Sequence, residues 1–268
     1  MEPTLIVIIL CMLLGSVVGV LAGLLGIGGG LLIVPASLYM FQHLLGLSVE
    51  NAMPIAVATS LSTVIFTGAS SARMHYKLGN LDRDIFKYSA IGIAIGAILG
   101  AQFAASISGV MLQRVFAILV VLIALQMVFN RHRVSAHQTN KGILTGVGLG
   151  SGFVSSLMGI GGGALIVPAL VWFQVNIKTA IGCASACGVL IAIFGSISFV
   201  IAGWQKPYLP DYSLGYVYLP ATLGIVITSM ITARVGAKLT NKLDTRKLKR
   251  IFAVFLVLVS IRMMIGIE

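Results

Sequence analysis

Residues 4–25 carry no charged side chain. Apolar runs of about 18–22 residues, the length of a membrane-spanning helix, recur along the whole chain. A helix rises about 1.5 Å per residue, so such a run matches the hydrocarbon core of a bilayer. Strands of a membrane barrel would instead alternate polar and apolar residues in segments of roughly 10. Hydrophobic residues make up 58% of the 268 residues and charged residues 9%, against about a quarter charged in soluble domains. No soluble fold of this size hides that much apolar surface, so the expected class is an all-α integral membrane protein. No Lys or Arg precedes the first run, and it reads as a permanent span rather than a cleaved signal. Cys11, Cys183 and Cys187 all lie in apolar stretches. They form no metal-ligand spacing and no disulfide framework, and they read as packing residues.

The chain also repeats itself. Residues 23–36 read GLLGIGGGLLIVPA and residues 156–169 read SLMGIGGGALIVPA, identical at 11 of 14 positions. AVATSLST (56–63) aligns with ASACGVLI (184–191), which sets Cys187 against Thr59. GAQFAASISGVMLQRVFAILVV (100–121) aligns with GAKLTNKLDTRKLKRIFAVFLV (236–257). The chain therefore divides into a first unit (1–130), a polar linker (131–141) and a second unit (142–268). Each unit offers five apolar segments: 4–25, 30–46, 51–72, 85–106 and 113–130, then 142–158, 163–175, 179–202, 214–236 and 250–267. The second segment of each unit is short and starts at the glycines. It either crosses or re-enters, and in both cases it returns the chain to its starting side.

Five passes is an odd number, so the second unit is expected to lie upside down relative to the first. Basic residues support this. With loop 73–87 in the cytoplasm, the inverted arrangement also places the linker, the 176–179 turn and the 234–250 loop there. Together these hold 15 of the 18 Lys and Arg residues, as cytoplasmic loops should. The net charge of +11 is then loop charge, and no nucleic-acid partner is implied. Both termini fall on the extracytoplasmic side.

The glycines are the candidate site. Irregular backbone is tolerated at membrane depth only where protein buries it or a water-filled cavity borders it. Gly26, Gly28, Gly29 and Gly30 break one helix, and Gly159, Gly161, Gly162 and Gly163 break its counterpart. Each following helix starts with free N–H groups and the positive end of its dipole, which suits an anion. In an inverted pair two such termini converge near the midplane, the position expected for a transporter site. Thr59, Ser60 and Ser185 lie in matching apolar stretches and offer hydroxyl donors. Asn51 reads as a helix N-cap. Arg262 reads as a residue snorkelling to the surface, and Tyr76 and Trp204 as interfacial aromatics. No Asp or Glu lies inside an expected span, and the histidines sit at segment ends or in loops. No catalytic residue, metal ligand or cofactor is expected, and the chain does not read as an enzyme.

The two GIGGG…IVPA motifs, AVATSLST and LGNLD (78–82) resemble the TauE/SafE family of sulfite and organosulfonate exporters over nearly the whole chain. The resemblance implies a bacterial inner-membrane permease for sulfur-containing anions. The second unit departs from the pattern at ASACGVLI, which lacks the Thr-Ser pair. The expected function is alternating-access transport of a small anion (sulfite, a short sulfonate or a carboxylate) with export favoured by the membrane potential. A cation or metal permease and sodium-coupled anion uptake are the alternatives. The lipid bilayer is the expected surroundings, and assembly as a homodimer stays open.

Overall fold

The computed structural model describes residues 3–25, 29–129, 140–239 and 245–265. Ten helices account for nearly all of them: α1 (Pro3–Leu25), α2 (Gly30–Leu44), α3 (Val49–Lys77), α4 (Arg83–Ser106), α5 (Gly109–Phe129), α6 (Lys141–Leu157), α7 (Gly163–Trp172), α8 (Ile177–Ala202), α9 (Leu219–Leu239) and α10 (Thr245–Ile265). Five of these, α1, α3, α4, α5 and α8, are long and apolar enough to cross a membrane. The chain is an all-α multi-pass membrane protein. Gly26, Gly28 and residues 131–139 of the linker lie outside the described residues.

Two helix pairs carry much of the packing. α1 lies along α9, and α4 along α6. Small residues make the close approach, as is usual where lipid removes the hydrophobic drive between helices. A Cβ at Gly15 would lie 2.5 Å from the Ile225 carbonyl oxygen, and one at Gly19 would lie 2.6 Å from that of Ser229. In the second pair Gly92, Gly96 and Gly100 of α4 abut the backbone of Thr145, Leu149 and Phe153 on α6, while Gly148 and Gly152 of α6 abut Ser89 and Ile93. Sequence numbers rise together across both contacts, so each pair is parallel. α3 and α8 also pack together, but in the opposite sense: Ser71 meets Ser185, Gly68 meets Val189 and Leu61 meets Gly195. α5 packs on α10, with Gln113 Nε2 donating to the Met263 carbonyl at 2.7 Å. Exchanging the first five helices with the second five leaves this set of pairings unchanged.

Several boundaries differ from the sequence reading. α3 runs to Lys77 rather than stopping near residue 72. Nothing in GASSARMHYK breaks a helix until Gly79, whose φ of +70° suits glycine. There the Asn80 amide donates to the His75 carbonyl and the Gly79 amide to that of Tyr76, a Schellman ending. The N-cap of α3 is Ser48, not Asn51, which sits in the first turn. The segment expected at 214–236 starts instead as a two-residue-turn hairpin, β1 (Ser213–Leu214) against β2 (Val217–Tyr218), with Gly215 at φ +53° in the turn. Asp82 caps α4, accepting from the amides of Asp84 (2.9 Å) and Ile85 (3.0 Å). Asp82→Ala is expected to cost about 1 kcal/mol, which a thermal melt in detergent reads as a drop of roughly 2–4 °C.

Candidate functional site

The two glycine breaks meet. A Cβ at Gly30 would fall on the Gly159 carbonyl oxygen and 2.8 Å from the Ile160 Cα. Gly159 itself closes α6. Its φ is +68°, its amide donates to the Ser156 carbonyl and the Ile160 amide to that of Ser155. This is a second Schellman ending, and an L side chain would strain it. α2 starts where Gly29 touches Val18 of α1. It runs back toward the end at which α1 begins, where Phe41 stacks edge-on against Tyr218 with centroids 5.5 Å apart. α7 starts where Gly162 touches Ala184 and Ile191 of α8. It runs the other way, toward the end of α3 that carries Lys77. With 15 and 10 residues, neither reaches the roughly 30 Å of a hydrocarbon core. Two half-helices thus start from neighbouring points and point their positive ends inward. Neither cap residue, Gly29 or Gly162, offers a side chain to the first-turn N–H groups.

A cavity of about 1030 Å³ opens above this meeting point. Gly29 and Gly161–Gly163 line its floor. Its walls come from α1 (Val18, Gly19, Ala22), from α3 beyond Val64, from α8 (Ala184, Ser185, Gly188) and from α9 (Ser229, Met230, Ala233). Arg73, His75 and Lys77 line its outer part, and among the described residues no Asp or Glu lines it. Gly161 lines the cavity, and among the described residues only Val64 Cγ1, at 3.1 Å, lies within 4 Å of an added Cβ. Gly188 lets α8 approach the floor, with an added Cβ 3.0 Å from the Gly162 amide nitrogen.

The three expected hydroxyls fall in two places. Ser185 lines the cavity; its Oγ donates to the Ile181 carbonyl at 2.9 Å and accepts from Ser71 Oγ at 3.2 Å. Thr59 and Ser60 lie below the floor, fully buried. Ser60 Oγ donates to the Gly159 carbonyl at 2.6 Å, and Thr59 Oγ1 accepts from the Tyr218 amide at 3.1 Å. Arg73 and Lys77 were assigned by sequence to a loop. The continuation of α3 brings them to the cavity, and their i, i+4 spacing was the signal that could have shown it. Arg262 is exposed, and its guanidinium lies 5.1 Å from the Tyr39 ring centroid, a cation–π distance. Among the described residues no group of three or more His, Cys, Asp or Glu side chains is placed to hold a metal ion.

The family model described as Sulfite exporter TauE/SafE matches residues 11–263. A probable membrane transporter protein of Haemophilus influenzae is 41% identical over 258 residues, covering 96% of this chain and 97% of its own. Probable membrane transporter proteins of Methanocaldococcus jannaschii (28% identical, 90% and 89% covered) and Bacillus subtilis (YunE; 26% identical, 94% and 95% covered) are similar over nearly their whole length. No solved structure matches the chain. Matched by that family model over nearly its whole length and by a relative at 41% identity, the chain belongs to the TauE/SafE family of membrane transporters.

Proposed function

We propose that this transporter carries a small anion, held at the floor of the cavity between the N-termini of α2 and α7. The observation that carries the reading is the cavity's chemistry. Both glycine breaks, two helix dipoles, Arg73 and Lys77 surround one space, and no carboxylate is among its described lining residues. A cation permease would need the carboxylates that this lining lacks. The family's description directs the substrate toward sulfite or a short organosulfonate, and a carboxylate meets the same donors.

In this reading, units 1–130 and 142–268 form an inverted repeat. The antiparallel α3–α8 contact and the unchanged pairings under exchange support it, together with the distribution of Lys and Arg. The basic mouth of the cavity then faces the cytoplasm of a bacterial inner membrane, and both termini face outward. An anion leaving a cell with a negative interior gains about 2.3 kcal/mol per charge per 100 mV, so export needs no coupled ion. Alternating access would come from helix sets moving against each other about the floor.

The test is thermal stabilisation of the purified protein by sulfite, sulfate, sulfoacetate, taurine, acetate and chloride. A ligand at about 100 times its dissociation constant adds roughly 2.7 kcal/mol of apparent stability. A rise in Tm with a sulfonate or sulfite supports the reading; a rise with cations alone, or with nothing, sinks it. Arg73→Gln combined with Lys77→Gln is expected to lower the initial rate of anion transport roughly tenfold at low salt, with the deficit shrinking as salt screens the mouth. Flux from loaded vesicles at two ionic strengths reads both effects.

A further inference from the structure

The described lining of the cavity reaches Arg73 and Lys77 at one end, and named side chains join the helices below its floor. On α3, residues 52–64 are buried, while the cavity borders the same helix only from Val64 to Lys77. Thr59 therefore lies about 8 Å below the floor and roughly 20 Å from Arg73 along the helix. At that level the hairpin β1–β2 inserts against α3. The Tyr218 amide donates to Thr59 Oγ1 at 3.1 Å. One turn on, the hydroxyls of Ser62 and Thr222 share a hydrogen bond of 2.7 Å, and Ser62 Oγ also lies 2.7 Å from the Thr59 carbonyl. Tyr218 is closed in by Phe41. Tyr216 packs edge-on against Phe199 and its hydroxyl lies 2.9 Å from that of Tyr208.

The corresponding connection at the end with Arg73 and Lys77 does not reach as deep. Residues 78–82 follow α3 as the hairpin follows α8. They touch α8 at Gly182, which meets Asn80, and at Cys183, whose Sγ lies 3.6 Å from the Asp82 carbonyl. In the alignment of the two units, Gly182 and Cys183 correspond to Pro54 and Ile55, whereas the hairpin reaches Thr59, more than a turn further in. One connection rests on the rim of its partner helix and leaves a cavity behind it. The other reaches deeper and bonds to Thr59.

We propose that Thr59 and Ser62 are positioning residues for transport. They hold the hairpin and the start of α9 across the far end of the cavity, and both links must part for the floor to open to the opposite face. The inference rests on the transporter reading above. The chemistry fits a reversible closure. Each link is a neutral hydrogen bond of modest net worth, and both join α3 to residues that lead into a single helix, α9. That helix also packs along α1, so α1 and α9 would move as a pair.

The experiment needs no knowledge of the substrate. Cys11, Cys183 and Cys187 are replaced by Ala, and Gly161→Cys places one thiol on the cavity floor. In sealed vesicles of each orientation, a membrane-impermeant methanethiosulfonate should label this thiol mainly from the face that carries Arg73 and Lys77. Thr59→Val with Ser62→Ala is expected to raise the labelling rate from the opposite face about tenfold. Thr222→Val cuts the same Ser62 link from α9 and should raise it in the same direction, which keeps the test standing if the double variant fails to fold. No gain from the opposite face in a correctly inserted variant overturns the proposal. Sulfoacetate serves as the separate probe of the floor. Protection of the thiol by sulfoacetate with no gain in the variants defeats the gate alone. A gain without protection upholds the gate and defeats sulfonate binding at the floor.

Discussion

Gly161→Trp is expected to abolish anion transport while leaving the protein folded in the membrane. Among the described residues an added Cβ at this position meets only the end of Val64, and Gly161 lines the cavity, so the indole is expected to extend into it. It would cover the surface between the two half-helix N-termini. Losing about 3 kcal/mol of anion binding corresponds to roughly a hundredfold in affinity. The measurement is sulfoacetate exchange in proteoliposomes beside the melting temperature of the same preparation. Full exchange with an intact fold would place the substrate elsewhere. Gly30→Ala provides the contrast. Its Cβ would fall on the Gly159 carbonyl oxygen, so it should lower exchange and melting temperature together.

Gly96→Val is expected to cost the fold itself. The added Cβ would fall on the Leu149 carbonyl oxygen and lie 2.9 Å from the Phe153 amide nitrogen. Both are backbone atoms of α6 and cannot rotate away. Overpacking usually costs 1–3 kcal/mol, and a clash with backbone on a parallel helix pair belongs at the upper end, about 3 kcal/mol. The readout is loss of the monodisperse peak in size-exclusion chromatography and a melting temperature lowered by several degrees. Gly150→Val on α6 is the control, because no described residue lies within 4 Å of its added Cβ; it should behave as the parent.

The helical membrane class was legible in the sequence because it rests on run length and missing charge, which no tertiary contact alters. The glycine breaks were legible because the chain writes them twice. Two kinds of feature were not. Gly92, Gly96 and Gly100 read as ordinary small residues until the partner helix is known, since a four-residue spacing does not say which helix sits against it. The destination of Arg73 and Lys77 depended on where α3 ends. The charged residues from Arg73 onward suggested a loop, yet Gly79 supplies the backbone that ends the helix. Thr59 and Ser60 were expected at the site from their polarity. Their hydrogen bonds to Tyr218 and Gly159 depend on a hairpin and a crossing that no local pattern announces.

The reciprocal helix pairs have a consequence for how the protein is made. α1 leaves the ribosome well before α9, the helix its glycine face fits, which begins roughly 200 residues later. At 5–20 residues per second that is a wait of about 10–40 s. During that time α1 sits in lipid, or in the insertion machinery, with its eventual partner not yet synthesised. α4 by contrast meets α6 soon after the linker is passed. The amino-terminal half therefore has no closed set of partners of its own: α1 lacks α9, α4 lacks α6 and α3 lacks α8. Neither half is a folding unit, and a chain interrupted at the linker can mature only if both fragments share one membrane and find each other there.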